Sequence, residues 1–173
     1  MSGWVAALIA AVAVVWQRAA RRGKTGLHYP AGSDRLTQLL REAAPAAQVP
    51  IAWADDPDIH YIIGAESAGW VGRPNYTYGE RNDEAFPADI HHPTNARRWP
   101  EVHRELQAGV KGARSTATGL GQLIFDNVQA HYPEQLDGIG DPWNEAVGFL
   151  SYVRTRYGTP SEAARFRRDR GNY

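Results

Sequence analysis

Residues 62–70 read IIGAESAGW, an apolar segment that reaches a glutamate and a serine and then breaks at glycine. Three isoleucines and the glutamate recur at i, i+3, i+4 and i+7 and so share one helix face, namely Ile59, Ile62, Ile63 and Glu66. Burial at the end of an apolar stripe raises the pKa of a carboxyl toward neutrality, as a general acid requires. Glu66 is therefore a candidate catalytic acid, and the alternative is a helix-end glutamate whose carboxylate lies in solvent.

Helix signals occur six times along the chain, and no run shows the alternating pattern of a strand. The predicted helices run from Asp34 to about Ala44, Asp58 to Ala68, Asn95 to near Gly109, the turn 113–124 to near Tyr132, Pro142 to Tyr157, and Ser161 to Arg168. The pattern predicts an all-α domain over residues 33–173.

Residues 4–16 read WVAALIAAVAVVW, with no polar side chain and a tryptophan at each end. A helix of this length reaches roughly 20 Å, so spanning about 30 Å of hydrocarbon needs flanking residues, from 3 to 20 in all. We predict a membrane-anchoring segment over 1–22 and a Gly- and Pro-containing linker over 23–32. A cleaved or interfacial segment and a buried helix are the alternatives.

The basic residues of the N-terminal region follow the apolar run, and they are Arg18, Arg21, Arg22 and Lys24. The positive-inside rule then keeps the C-terminal side in the cytoplasm. That placement conflicts with action on a polymer outside the cell. A lipid layer inside a virus particle would remove the conflict.

The remainder of the chain, from residue 27 onward, carries 15 basic and 19 acidic residues. This net negative charge is not typical of a nucleic-acid-binding domain, and we expect no nucleic-acid partner. The chain has no cysteine, which excludes disulfides, thiolate metal sites and a cysteine nucleophile.

Two further stretches stand in order after the Glu66-Ser67 pair. Residues 115–123 read STATGLGQL, and residues 141–173 contain DPWN, then RYGTP, then a final GNY. Together with Glu66-Ser67 they resemble the signature motifs of soluble-type lytic transglycosylases, with a tail similar to the variants in phage tails and virions. The resemblance covers about residues 58–173.

The resemblance implies a lysozyme-like α-helical domain that cuts the β-1,4 bond between N-acetylmuramic acid and N-acetylglucosamine. Glu66 matches the catalytic acid, which protonates the glycosidic oxygen and then accepts the proton of the muramic 6-hydroxyl, leaving a 1,6-anhydro end. Ser67 and Gln122 match positions that orient the acid and bind substrate. Gly119 and Gly121 match a turn that lets sugar approach the backbone. The partner implied is a peptidoglycan glycan strand, with no metal and no cofactor.

Two parts of the chain depart from this family pattern. The family's last helices carry an Ala-Tyr-Asn motif, whereas residues 162–166 read EAARF, without a tyrosine. The loop 69–112 is long for the family, and within it we predict Tyr76 and Tyr78 as aromatic residues that line the substrate groove. Whether a second carboxylate from that loop reaches Glu66, as a lysozyme-type hydrolase would need, stays open.

Two other classes of function remain as alternatives. His91 and His92, with His103 further on, loosely match a one-metal nuclease, although the hairpin that such a site needs is not predicted. The second alternative is a membrane-anchored virion structural or glycan-binding protein that has the fold and no activity.

Overall fold

The computed structural model describes residues 25–76 and 86–171, and these residues are predominantly helical. The α-helices of these ranges are α1 Asp34–Ala47, α2 Pro57–Ser67, α3 Trp99–Gln107, α4 Phe125–His131, α5 Pro142–Tyr157 and α6 Pro160–Arg170. Short 3-10 helices cover Ile51–Asp55, Pro93–Arg98 and Gln135–Gly138. Within the described ranges β-structure is limited to isolated bridges, so the all-α prediction is confirmed at this level.

Helix α1 begins where its capping signal predicts. The Ser33 Oγ accepts the Leu36 N–H at 3.2 Å, which satisfies one of the free donors of the first turn. The predicted end near Ala44 is wrong, since α1 includes Pro45 and continues to Ala47. Proline removes only one helical hydrogen bond, and the burial of Ala47 in the core favours the extra turn.

The main core lies between α1 and α5, with α2 and α6 packed beside them. Both α1 and α5 bury an apolar face, and their fully buried side chains include Leu36, Leu40, Phe149, Leu150 and Val153. Helix α2 adds its three isoleucines, each completely buried. Burying apolar area at about 25 cal/mol per Å² is the main term that stabilises such a core. The isoleucine stripe thus fixes α2 and leaves the carboxyl of Glu66 at the edge of the core.

The last two helices agree with the sequence prediction to within two residues. Asp141 caps α5 by accepting the Asn144 N–H at 2.8 Å. Thr159 caps α6 by accepting the Glu162 N–H at 3.3 Å. Gly158 ends α5 at a positive φ of 81°, a conformation that glycine adopts without strain.

The start of the third predicted helix is wrong. His92, rather than Asn95, precedes the first turn and accepts the Thr94 N–H. That turn is a 3-10 helix, and α3 itself begins at Trp99. The Asn95 side chain instead donates to the Asp89 carbonyl at 2.8 Å, so it holds the preceding turn and does not cap the helix.

Residues 25–32, which the composition assigned to a linker, belong to the packed domain. Three backbone hydrogen bonds of 2.8–2.9 Å join residues 26–29 to residues 69 and 71. The His28 ring also stacks on Trp70, with ring centroids 4.3 Å apart. Glycine and proline are common in linkers, which is why the composition indicated one. The hydrogen-bond partners of residues 26–29 lie about 40 residues further along the chain, and local composition does not reveal them.

The predicted membrane segment, 1–22, and the first two residues of the predicted linker lie outside the described residues. Within the described ranges, no helix combines the length and the apolar character needed to cross a membrane.

Gly69 allows the segment 25–32 to dock on the end of α2. A Cβ at this position would lie 2.0 Å from the Tyr29 carbonyl oxygen, and φ is +79°. Gly32 has a nearly equal φ of +76°, but a Cβ there meets nothing within 4 Å.

We therefore predict that Gly69→Ala lowers the free energy of unfolding by about 3 kcal/mol. The new Cβ displaces the docked segment, and alanine is also strained at this positive φ. Gly32→Ala, the matched control, should cost about 1 kcal/mol from φ alone. Urea unfolding of both variants measures the difference. Equal losses would contradict the close packing of Tyr29 on Gly69.

Candidate active site

Glu66 lies in the last turn of α2, and its side chain is 14% exposed. Ala68 follows in the left-handed conformation at φ 55° and ends the helix, as the break at glycine predicted. The carboxyl of Glu66 faces α6, where the Arg167 guanidinium forms an ion pair with it. Both charged groups are largely shielded from water.

Burial and charge act on Glu66 in opposite directions. Burial raises the pKa of the Glu66 carboxyl above its ordinary value, and the positive charge of Arg167 opposes that rise. Burial is the larger effect, so the net pKa is raised. A raised pKa increases the protonated fraction near neutrality, which is the state that donates a proton.

Ser67 does not lie at the surface. It is completely buried, its Oγ donates to the Ile63 carbonyl at 3.2 Å, and the same Oγ accepts the Gly69 N–H at 3.1 Å. These bonds satisfy backbone groups at the end of α2. Ser67 therefore fixes the helix end that carries Glu66, and we do not retain it as a residue that contacts substrate.

Arg73 joins the end of α2 to the turn around Gln122. Its Nη1 donates to the Ser67 carbonyl at 2.9 Å, and its own carbonyl accepts from the Gln122 side chain at 2.9 Å. The Gly119 N–H donates to the same carbonyl at 3.0 Å. Burial lowers the pKa of the Arg73 guanidinium. The structure therefore brings the two sequence motifs together through a residue that belongs to neither.

Residues 117–123 form a turn that leads into a helix, as predicted. Thr118 and Leu123 exchange backbone hydrogen bonds of 3.0 Å across it, and α4 begins only at Phe125. Gln122 occupies a positive φ of 49° and also donates to the Gly119 carbonyl at 3.0 Å. The amide nitrogen of Gln122 is thus engaged within the protein.

The glycines of this turn approach protein atoms. A Cβ on Gly119, whose φ is +76°, would lie 2.8 Å from the Glu145 carboxyl and 2.7 Å from the Tyr132 hydroxyl. Gly121 is buried in the same turn. The close approach that Gly119 permits is therefore to a buried carboxyl and a buried tyrosine hydroxyl. A role of Gly119 and Gly121 in admitting a sugar stays a prediction.

Glu145, in the first turn of α5, is completely buried. Its Oε1 accepts the N–H groups of Gly72 and Gly140, each at 2.8 Å, and its Oε2 accepts the Leu120 N–H at 2.9 Å. Burial raises the pKa of this carboxyl to about 8, although the three donors oppose the rise. One side chain therefore anchors three separate loops beneath the candidate site.

A second buried chain of hydrogen bonds extends from the same loop. His103 Nε2 lies 2.8 Å from the Gly72 carbonyl and donates to it, so Nδ1 accepts from the Tyr76 hydroxyl at 3.0 Å. Burial lowers the pKa of His103 to about 4, which keeps the ring neutral. The Tyr132 hydroxyl is also buried and has no hydrogen-bond partner among the described residues.

The predicted groove residues have different outcomes. Tyr76 is completely buried among Phe86, Ile90 and Val102, so its ring is core material and we do not retain it as a sugar platform. An aromatic residue near glycine and asparagine resembles a surface residue in sequence, but the ring of Tyr76 packs in one cluster with Val102 of α3. Tyr78 lies outside the described residues.

The described residues do not support the nuclease alternative. Among them, no three histidine, aspartate or glutamate side chains cluster as metal ligands. His103 is only 4% exposed and uses both ring nitrogens within the protein.

Sequence reasoning missed Arg73, Glu145 and Arg167. Glu145 follows a helix cap, where an acidic residue is ordinary and stabilises the helix dipole, so nothing marked it as buried. Arg167 belongs to the charged run RFRRDR, which resembles a solvated helix face. The available signal for Glu145 was the Asp141-Pro142 helix start, which places Glu145 in the first turn of α5.

No family model matches the chain, and neither a curated protein nor a solved structure matches it.

The titration of Glu145 gives a prediction for stability. An acid whose pKa is raised by folding stabilises the folded state below its unfolded pKa, and this stability is lost as the pH rises to the folded value, here about 8. His103 acts in the opposite sense, but only between its folded pKa of about 4 and its ordinary value of 6.5.

Between pH 6.5 and 8, the free energy of unfolding of the parent should therefore fall by roughly 2 kcal/mol relative to Glu145→Gln, which does not titrate. Urea unfolding at several pH values measures this difference. A difference that stays constant with pH would mean that Glu145 is already ionised at neutrality.

Proposed function

We propose that this protein is a peptidoglycan lytic transglycosylase in which Glu66 is the single catalytic acid and base. The observation that carries the proposal is the position of Glu66. Its carboxyl is largely buried at the end of α2, with a raised pKa, beside the junction where Arg73 docks the turn that holds Gln122. The resemblance of the same motifs to soluble-type lytic transglycosylases supports it.

The proposed reaction needs one carboxyl group that changes roles. Protonated Glu66 donates its proton to the glycosidic oxygen between N-acetylmuramic acid and N-acetylglucosamine as that bond breaks. The resulting carboxylate then accepts the proton of the muramic 6-hydroxyl, whose oxygen closes onto C1 to form the 1,6-anhydro ring. No water is consumed, and Glu66 ends protonated, ready for another cycle.

The surroundings of Glu66 suit this role. Partial burial raises its pKa without removing it from the surface, and the hydrogen bonds of Ser67 fix the turn from which it projects. In the proposal, the side-chain carbonyl oxygen of Gln122 accepts from an N-acetyl amide of the sugar, while its amide nitrogen stays bound within the turn. A lysozyme-like arrangement of the six helices is part of the same proposal.

The N-terminal residues suggest where the enzyme acts. Residues 3–20 are proposed to attach the domain to a membrane, in a virion or in the bacterial envelope. An anchored enzyme of this kind opens the wall locally, which suits phage genome entry or release, with virion proteins as neighbours.

Glu66→Gln should abolish the release of soluble fragments from purified peptidoglycan, because the amide cannot donate the proton, while the melting temperature stays near that of the parent. The matched control is Glu162→Gln, which changes an exposed carboxylate on α6 that pairs with Arg165. Mass spectrometry of the fragments released by the parent should show anhydromuramic ends, lighter than reducing ends by one water. A fully active Glu66→Gln variant would refute the assignment.

Two other products would lead to other functions. Reducing ends would indicate a lysozyme-type hydrolase with a second carboxylate. No release by a folded parent would indicate a glycan-binding or structural protein, which is the alternative that the ion pair between Arg167 and Glu66 favours, since a paired carboxylate is harder to protonate.

A further inference from the structure

Arg167 is the residue of α6 that forms an ion pair with Glu66. Its guanidinium pairs with the carboxyl, and its side chain is only 19% exposed. The Arg167 Nε and the Glu66 Oε1 that it pairs with are both shielded from water. The contact is therefore an ion pair between two poorly solvated groups.

The neighbouring arginines of α6 have different partners. Arg168 pairs with Asp58 at the other end of α2 and lies over the Tyr61 ring at 4.8 Å. Arg165 pairs with Glu162 within its own helix. Of these three, Arg167 is the one whose charge acts on the candidate acid.

The ion pair conflicts with acid catalysis unless it opens. A guanidinium beside a carboxyl favours the ionised form, whereas the proposed reaction begins with the protonated form. A second anion that takes the guanidinium would remove this effect. Burial alone would then act on Glu66, because Arg167 is the charged group that lowers its pKa.

We propose that Arg167 is a substrate-binding residue whose guanidinium leaves Glu66 and pairs with a carboxylate of the glycan strand. This inference rests on the proposed function. Guanidinium binds carboxylate through two parallel N–H donors, a geometry that lysine does not reproduce. Glu66 then takes up a proton from solvent, so the acid becomes competent only when an anionic strand is bound.

The carboxylate has two sources in peptidoglycan. One is the lactyl group of a muramic acid that carries no peptide, and the other is the peptide of one that does, because peptide attachment converts the lactyl carboxylate into an amide. Both present the same chemistry to Arg167. Glycan strands without peptide retain the lactyl carboxylate, and conversion of that group to a methylamide removes the charge while the sugar chain stays intact.

The test measures binding of the full-length chain by titration calorimetry, in a Glu66→Gln background that prevents turnover. We expect the lactyl strands to bind about tenfold more tightly than their methylamides, as one charge-assisted pair would give. Adding Arg167→Ala should abolish this preference, and Arg167→Lys should retain part of it. Arg168→Ala, one residue away, should leave it unchanged. Strands that carry peptide, compared with the same strands after methylamidation of the peptide carboxylates, form the third arm. An Arg167-dependent preference seen only there assigns the carboxylate to the peptide.

Several results would overturn the inference. These are equal binding of charged and methylamidated strands both with and without peptide, no binding of any strand, or a preference that survives Arg167→Ala. The activity of the parent is measured separately, so an inactive parent that still shows the Arg167-dependent preference would refute the proposed function and not this inference.

The pH dependence gives a second readout that a purely structural role would not change. In an active parent, kcat/KM falls as Glu66 ionises in the free enzyme. Without Arg167 the pKa of Glu66 rises, so in the Arg167→Ala variant this fall should move to higher pH, with a raised KM for charged strands. An unchanged pH profile would contradict the coupling.

Discussion

The carboxyl of Glu145 is the interaction on which the candidate site depends. It is buried beneath the site and accepts three backbone N–H groups, from Gly72, Leu120 and Gly140, which come from three separate loops. Loops pay a large entropic cost for being ordered, and a buried acceptor with several donors offsets part of it. Removing the carboxyl would leave three buried donors unsatisfied, each a destabilising change.

The loops that Glu145 holds carry the groups of the site. Gly72 continues into Arg73, whose guanidinium binds the end of α2 and whose carbonyl receives Gln122. The candidate acid is thus positioned by a relay of buried polar contacts rather than by apolar packing alone. Glu66 itself pairs with Arg167. The backbone of the site can therefore stay fixed while these two side chains change partners.

Local signals predicted the helices well because caps and apolar periodicity act within a few residues. The stripe ending at Glu66 and the Asp141 cap of α5 are examples. Contacts between distant segments were not predictable in this way. The burial of Tyr76, the docking of residues 25–32 and the ion pair of Arg167 each depend on a partner far along the chain. From composition, Tyr76 resembled a groove residue, residues 25–32 a linker, and Arg167 part of a solvated helix face. Tertiary packing buried or docked each of them instead.

The central claim is that burial raises the pKa of the Glu66 carboxyl and that the charge of Arg167 limits this rise. The most direct measurement is an NMR titration of its carboxyl carbon in the full-length chain labelled at glutamate, with Glu66→Gln to assign the signal. We expect a midpoint above 4.5, the ordinary value for glutamate, and a further rise in Arg167→Ala. A midpoint at or below the ordinary value would contradict the account, because Glu66 would then be a permanent carboxylate.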